Sequence, residues 1–229
     1  MLDPGAHTCN AGSTGHFMYP RLTRGEYWLL ETVVELGVDL SALTKPHLGE
    51  SLNKQPHGLS RDQLLADLSR LFAEKLIVAK TADDRPFTPT PGQIVEALDR
   101  TSDDMMRGTW YFLTPKGGAV WEAFAHPEWT RYVEIYPSSD DNCLTEFRCL
   151  SLPYLQCFFH AMELQGPGTG PDTKKQLVLE WDQLEPWDAT YWKRFPRAHR
   201  LRAWVPEDAY WFSGWEVCML QRSWYPWQG

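Results

Sequence analysis

Positive charge is scarce in this chain: 22 Lys and Arg stand against 30 Asp and Glu over 229 residues, a formal charge of −8. That balance works against loose attraction to nucleic acid or anionic lipid. Long apolar runs are missing too, since no window approaches about 18 uninterrupted apolar residues, so no membrane-spanning helix is expected. The first twenty residues lack a basic patch followed by an apolar stretch, and so do not read as a secretory signal. Cysteine is sparse and odd in number: Cys9, Cys143, Cys149, Cys157 and Cys218 include no CxxC pair, which points to reduced thiols in a cytoplasmic protein and away from a disulfide framework or a zinc site. Catalytic signatures are lacking as well, with no nucleophile elbow, phosphate loop, dinucleotide fingerprint or HExxH helix.

What the chain does have is apolar mass, 43% of residues with 14% aromatic, ample for a core. Residues 1–20 read as a mobile lead-in rich in Gly, Ser and Pro. Thr23 and Glu26 then form a capping box, each side chain satisfying a free backbone donor of the other, and Tyr27, Leu30, Val33 and Val34 mark a helical face ending at Gly37. A second box, Ser60 with Gln63, opens a helix carrying Leu64, Leu65, Leu68, Leu71 and Phe72. Leu76 to Ala79 turn β-branched and predict a strand, and Thr109 to Leu113 a second one that pairs back after a long excursion. Within the excursion Thr90, Pro91 and Gln93 start a short inserted helix over Ile94 to Leu98. In "YFLTPKGGAVWE" Thr114 caps and Pro115 begins another.

The order helix, helix, strand, long hairpin, strand, helix, with the closing "LSRLFAEKLIVAK…TWYFLTPKGGAVWE", resembles the winged helix-turn-helix superfamily and is similar to the closing half of many bacterial regulators. The resemblance covers residues 21–125. It departs in an unusually long wing insertion and in Lys75, which stands where such sequences often place glycine at the helix exit. It implies a recognition helix over residues 60–75 in the major groove and a hairpin around residues 81–108 on phosphate, with Arg61, Gln63 and Arg70 as DNA-contacting residues.

The charges oppose that use. Outside its leucine stripe the helix offers equal numbers of basic and acidic side chains, and in the excursion Asp83, Asp84, Glu96, Asp99, Asp103 and Asp104 outnumber Lys80, Arg85, Arg100 and Arg107. Specific DNA binding rests on several Lys and Arg phosphate contacts, so duplex DNA is the less favoured partner.

Residues 126–229 predict a small α+β domain with a mostly antiparallel sheet. Its parts are a hairpin over 132–136 and 144–150, a largely buried helix from Ser151, a strand over 177–181, a short helix near 188–195, the alternating strand 200–205 and a last strand over 215–221. Of twelve tryptophans, eight come after residue 180. They either pack an irregular core or form a recognition surface, since Trp and Arg are favoured at binding hot spots. On the second reading the protein-binding residues are Trp192, Arg194, Trp224 and Trp227, with the acidic Asp83, Asp84, Asp103 and Asp104 steering a basic partner.

Catalytic and metal readings compete poorly. Cys157 and His160 lie three apart on a helix expected to be buried, which makes an inert core cysteine the simpler account. His7, Cys9 and His16 sit in the lead-in, where a metal would have to order the chain, and Asp182 with Glu185 reads as a solvated loop. The expectation is therefore a non-enzymatic, cofactor-free α+β protein, immunity-like or an adaptor, that binds another protein of basic character. The alternatives are a DNA-binding transcriptional regulator and an enzyme of unrecognised type. No sequence pattern specifies the oligomeric state.

Overall fold

The computed structural model describes residues 21–52, 54–100, 108–137, 144–165 and 178–204. The protein is α+β, and among these residues every strand pairing is antiparallel. The first helix, α1 (Arg24–Thr32), starts on the expected box, with the Thr23 hydroxyl accepting from the Glu26 N–H at 3.1 Å and the Glu26 carboxylate accepting from the Thr23 N–H at 2.7 Å. It stops at Thr32, short of the expected Gly37, because Val33 leaves helical geometry. A two-residue strand β1 (Val38–Asp39), a 3₁₀ turn (Leu40–Thr44) and the short α2 (Leu48–Ser51) lead to α3 (Arg61–Ala73), whose Ser60–Gln63 box is formed as read from the sequence.

The exit of α3 is a tight reversal. Lys75 has φ of 58°, its N–H donates to the Phe72 carbonyl at 3.0 Å, and the Leu76 N–H reaches back to the Leu71 carbonyl at 2.9 Å, the pairing of a Schellman cap. The chain thereby enters β2 (Ile77–Lys80). After β3 (Pro86–Phe87) and α4 (Pro91–Leu98), it returns as β4 (Trp110–Leu113), with Ile77 opposite Leu113 and Lys80 opposite Trp110. β1 adds to the far side of β4, giving the order β1-β4-β2-β3. Thr114 then starts α5 (Pro115–Ala125), accepting from the Gly117 N–H at 3.0 Å and donating to the Lys75 carbonyl at 2.7 Å. Glycine is required at 117, since a Cβ there would sit 1.8 Å from the Leu76 carbonyl oxygen.

The second sheet runs β5 (Glu134–Pro137), β6 (Leu144–Cys149), β10 (Ala198–Trp204), β7 (Val178–Leu184) in spatial order. Helix α6 (Leu152–Gln165) packs on it through Leu155, Phe158, Phe159 and Met162 against Val133, Phe147, Leu201 and Ala203. Only that stripe of α6 is covered. The expectation of a largely buried helix is corrected, because its other face carries Gln156, Cys157 and His160 in exposed positions.

The expected short helix near 188–195 is also corrected: β8 (Trp187–Asp188) pairs with β9 (Arg194–Phe195) in a two-stranded hairpin. Its turn closes with the Ala189 N–H on the Lys193 carbonyl at 2.9 Å and the Lys193 N–H on the Thr190 hydroxyl at 3.1 Å. Trp187, Trp192 and Phe195 pack together with the core of α1, α3, α5 and the first sheet. The expected boundary after residue 125 coincides with the end of α5, but that core runs on through Trp129, Tyr132, Trp187, Ala189 and Ala198. The lead-in 1–20 and the expected strand 215–221 lie outside the described residues.

Candidate functional site

The sequence points to two groups of surface residues, and the folded chain treats them differently. The three side chains expected on DNA have partners within the protein. The Arg61 guanidinium lies 2.7 Å from Asp99, which caps the end of α4, the Gln63 carbonyl oxygen caps the Ser60 N–H at 2.9 Å, and Arg70 bonds the carboxylate of Glu26, which is 1% exposed. A buried carboxylate left without its cation costs several kcal/mol, so Arg70 is held as a structural clamp between α1 and α3. Asp67 nearby is pushed above the usual carboxylate range by burial and then by Glu26.

Among the residues expected to bind protein, Trp192 serves packing. Its indole N–H donates to the Val34 carbonyl at 2.8 Å, while the Tyr191 hydroxyl donates to the Val33 carbonyl and accepts from the Leu113 N–H at 2.7 Å. Helix ends leave carbonyls without intrahelical partners, and this hairpin supplies donors to the chain just past α1. The Trp192 ring lies edge-on to Trp121 at 6.2 Å and Trp129 at 6.0 Å, in space that a Cβ on Gly118 would enter. Arg194 is exposed beside Asp188 at 3.3 Å. Asp83 and Asp84 are exposed on the tight turn joining β2 and β3, where Thr81 bonds Asp83 and holds it below its ordinary carboxylate range and Lys80 lies 2.8 Å from Asp84. Trp224, Trp227, Asp103 and Asp104 lie outside the described residues, as do His7, Cys9 and His16.

A feature that the sequence did not suggest is the outer face of the second sheet. Strand register aligns Glu134, Arg148, Arg200 and Asp182 in one row, and Tyr136, Glu146, Arg202 and Glu180 in the next. Arg200 grips Asp182 with two bonds, Arg148 reaches Glu146 at 2.8 Å, and Arg202 reaches Glu146 at 3.3 Å and Glu180 at 3.5 Å. Burial opposes ionisation of Glu146, but Arg148, Arg200 and Arg202 outweigh it and hold the group below its usual range. Asp182 is lowered chiefly by its bond from Arg200. Glu134 is the exception: burial raises it despite bonds from the Trp187 indole at 2.8 Å and from Arg148. The period-2 charges in "TEFRC", "HRLRAW" and "LEWDQ" were the available signal; which arginine meets which carboxylate depends on register between distant strands.

At the edge of this sheet, residues 178–183 of β7 are all exposed. Leu179 and Trp181, opposite the buried Ala203 and Leu201, are 38% and 41% exposed, and among the described residues they lie outside the core that α6 forms with the sheet.

One cleft of about 430 Å³ opens between α1, the 3₁₀ turn, α2 and the start of α3. Trp28, Leu43, Leu48 and Leu64 line it, with Lys45, His57 and Arg61. His57 has both ring nitrogens in use, one on the Leu43 carbonyl at 2.9 Å and the other on the Leu59 N–H at 2.9 Å. Asp182, half of the carboxylate pair weighed for acid–base work, is engaged by Arg200. Among the described residues no group of His, Cys, Asp and Glu is placed to hold a metal ion, and no helix is long and apolar enough to cross a membrane. No protein-family model, curated protein or solved structure matches this chain.

Proposed function

We propose that this chain is a non-enzymatic protein-binding module, immunity-like or adaptor in kind, that engages a basic partner and uses a winged-helix unit as scaffold. The scaffold reading is supported by β1 joining the β2–β4 hairpin across β4, with α3 packed before it and α5 after it. The observation that carries the functional reading is the disposition of charge on that scaffold. Arg61 and Arg70, the cations a DNA-reading helix would spend on phosphate, are engaged by Asp99 and Glu26, and Asp83 and Asp84, though they have Arg85 and Lys80 beside them, project from an exposed turn. With a net charge of −8, such a surface steers a cationic protein toward it and phosphate away.

Capture of the native partner by the full-length chain, identification by mass spectrometry and calorimetry on the purified pair test the reading. A basic protein bound more weakly as salt is raised is the expected result. In a parallel anisotropy titration, submicromolar binding of duplex DNA at physiological salt, abolished by Arg61→Ala with the fold intact by circular dichroism, would instead establish a regulator.

A further inference from the structure

From the geometry of β7 we propose that its outer edge is a strand-addition site for an extended segment of a partner protein, one that alternates Lys or Arg with apolar residues. The proposal rests on the protein-binding reading above and names the surface that serves it. Among the described residues β7 pairs only with β10, so its other edge presents unpaired backbone N–H and C=O groups, the template on which an incoming strand adds.

The two faces of that edge specify what the incoming strand carries. On the α6 side Leu179 and Trp181 offer apolar surface, and on the outer side Glu180 and Asp182 stand 57% and 41% exposed. Because side chains alternate along a strand, a segment adding here sets every second residue against the carboxylates and the others against Leu179 and Trp181. Arg200 and Arg202 of β10 satisfy these acids from the inner side only. The outermost column of charge on the sheet is therefore acidic.

A second copy of this chain fits the edge badly. Two-fold antiparallel pairing of β7 with itself, centred on Glu180, Trp181 or Asp182, sets carboxylate opposite carboxylate, and directly opposed like charges destabilise a strand pair. Charge of one sign along the exposed residues 178–183 works against self-association at this edge.

The test uses the full chain and a fluorescent probe, the blocked peptide Lys-Val-Lys-Val-Lys-Val-Lys, beside its Glu-Val counterpart and a copy N-methylated on alternate amides. Anisotropy should show the Lys-Val probe binding at least about tenfold more tightly than either control. Trp181→Thr and Glu180→Lys, strand-compatible changes at exposed positions verified by circular dichroism, should each weaken it by about tenfold. Hydrogen exchange should slow, on adding the probe, at those β7 amides that do not bond β10.

Equal binding of all three peptides, or none of any, overturns the proposal. So does slow exchange of the outer β7 amides in the free chain that is abolished by deleting residues 205–229, which would show the chain covering its own edge. Concentration-dependent dimerisation that Glu180→Lys disrupts overturns it in favour of a second copy. If a native partner is captured and binds both variants undiminished, this surface is wrong and the protein-binding reading stands; if neither partner nor probe binds, both fall.

Discussion

Lys75 sits in a backbone conformation that suits glycine. Its φ of 58° closes the Schellman cap of α3, and a side chain in the left-handed region costs about 1–2 kcal/mol because the Cβ crowds the following carbonyl. The departure from glycine at this exit was readable in the sequence; that the backbone keeps the left-handed turn regardless was not. The neighbouring residue holds the turn in place, since Leu76, buried, bonds Leu71 and delivers β2 into register with β4. Lys75→Gly should therefore stabilise the protein by roughly 0.5–1 kcal/mol, the relief of strain less the extra freedom glycine gives the unfolded chain. Urea midpoints decide it; an unchanged or lower midpoint would mean that the lysine side chain contributes a contact worth more than the strain. The caps at Thr23, Ser60, Thr90 and Thr114 were legible for a related reason, because each joins residues three apart. Arg61 and Arg70 looked free because their partners, Asp99 and Glu26, are 38 and 44 residues away.

Among the elements, the β8–β9 hairpin shows where local reading stops. Trp192 fits an irregular core or an exposed hot spot equally well, and nothing within the segment records that Val34, 158 residues earlier, has a carbonyl to offer its indole. Truncating Trp192 removes that bond together with the packing around Trp121 and Trp129. Trp192→Ala should cost about 3 kcal/mol, at the low end for core aromatics because the ring is half-buried. Trp192→Phe, which keeps most of the packing and loses the bond, should cost about 1 kcal/mol. Equilibrium unfolding of the two variants separates this from a surface role, which predicts negligible loss in both. The charge ladder on the second sheet escaped the sequence for a different reason. Residues 144–150, 177–181 and 200–205 were expected as strands, but the ladder from Glu134 to Asp182 exists only once β10 inserts between β6 and β7.

At the scale of the whole molecule, the question is whether residues 21–125 stand alone. The winged-helix resemblance, which covers residues 21–125, suggested a boundary after α5, and the backbone does change course there. The hydrophobic contacts do not. Trp121 is fully buried, and the surface that buries it includes Trp129 and Trp192, edge-on at 6.4 and 6.2 Å. Tyr132 stacks on Trp187 at 6.2 Å, and Trp187 on Phe195 at 5.8 Å, so the aromatic layer over α5 is built from residues beyond the boundary. A fragment ending at His126 strips Trp129 and Trp192 from the Trp121 ring and withdraws the Tyr191 and Trp192 donors from Val33 and Val34. Exposing side chains of that size costs about 1.5–3 kcal/mol each, which is a large share of the roughly 5–15 kcal/mol that holds a whole domain together. The fragment should keep helical far-ultraviolet dichroism from its capped helices, yet bind a hydrophobic dye and melt without a cooperative transition, the behaviour of a state that has lost fixed packing. The intact chain should bind no dye and melt cooperatively. A fragment that unfolds sharply, with a midpoint equal to that of the intact chain, would show that the scaffold is self-sufficient and that the β8–β9 hairpin is an accessory placed on it.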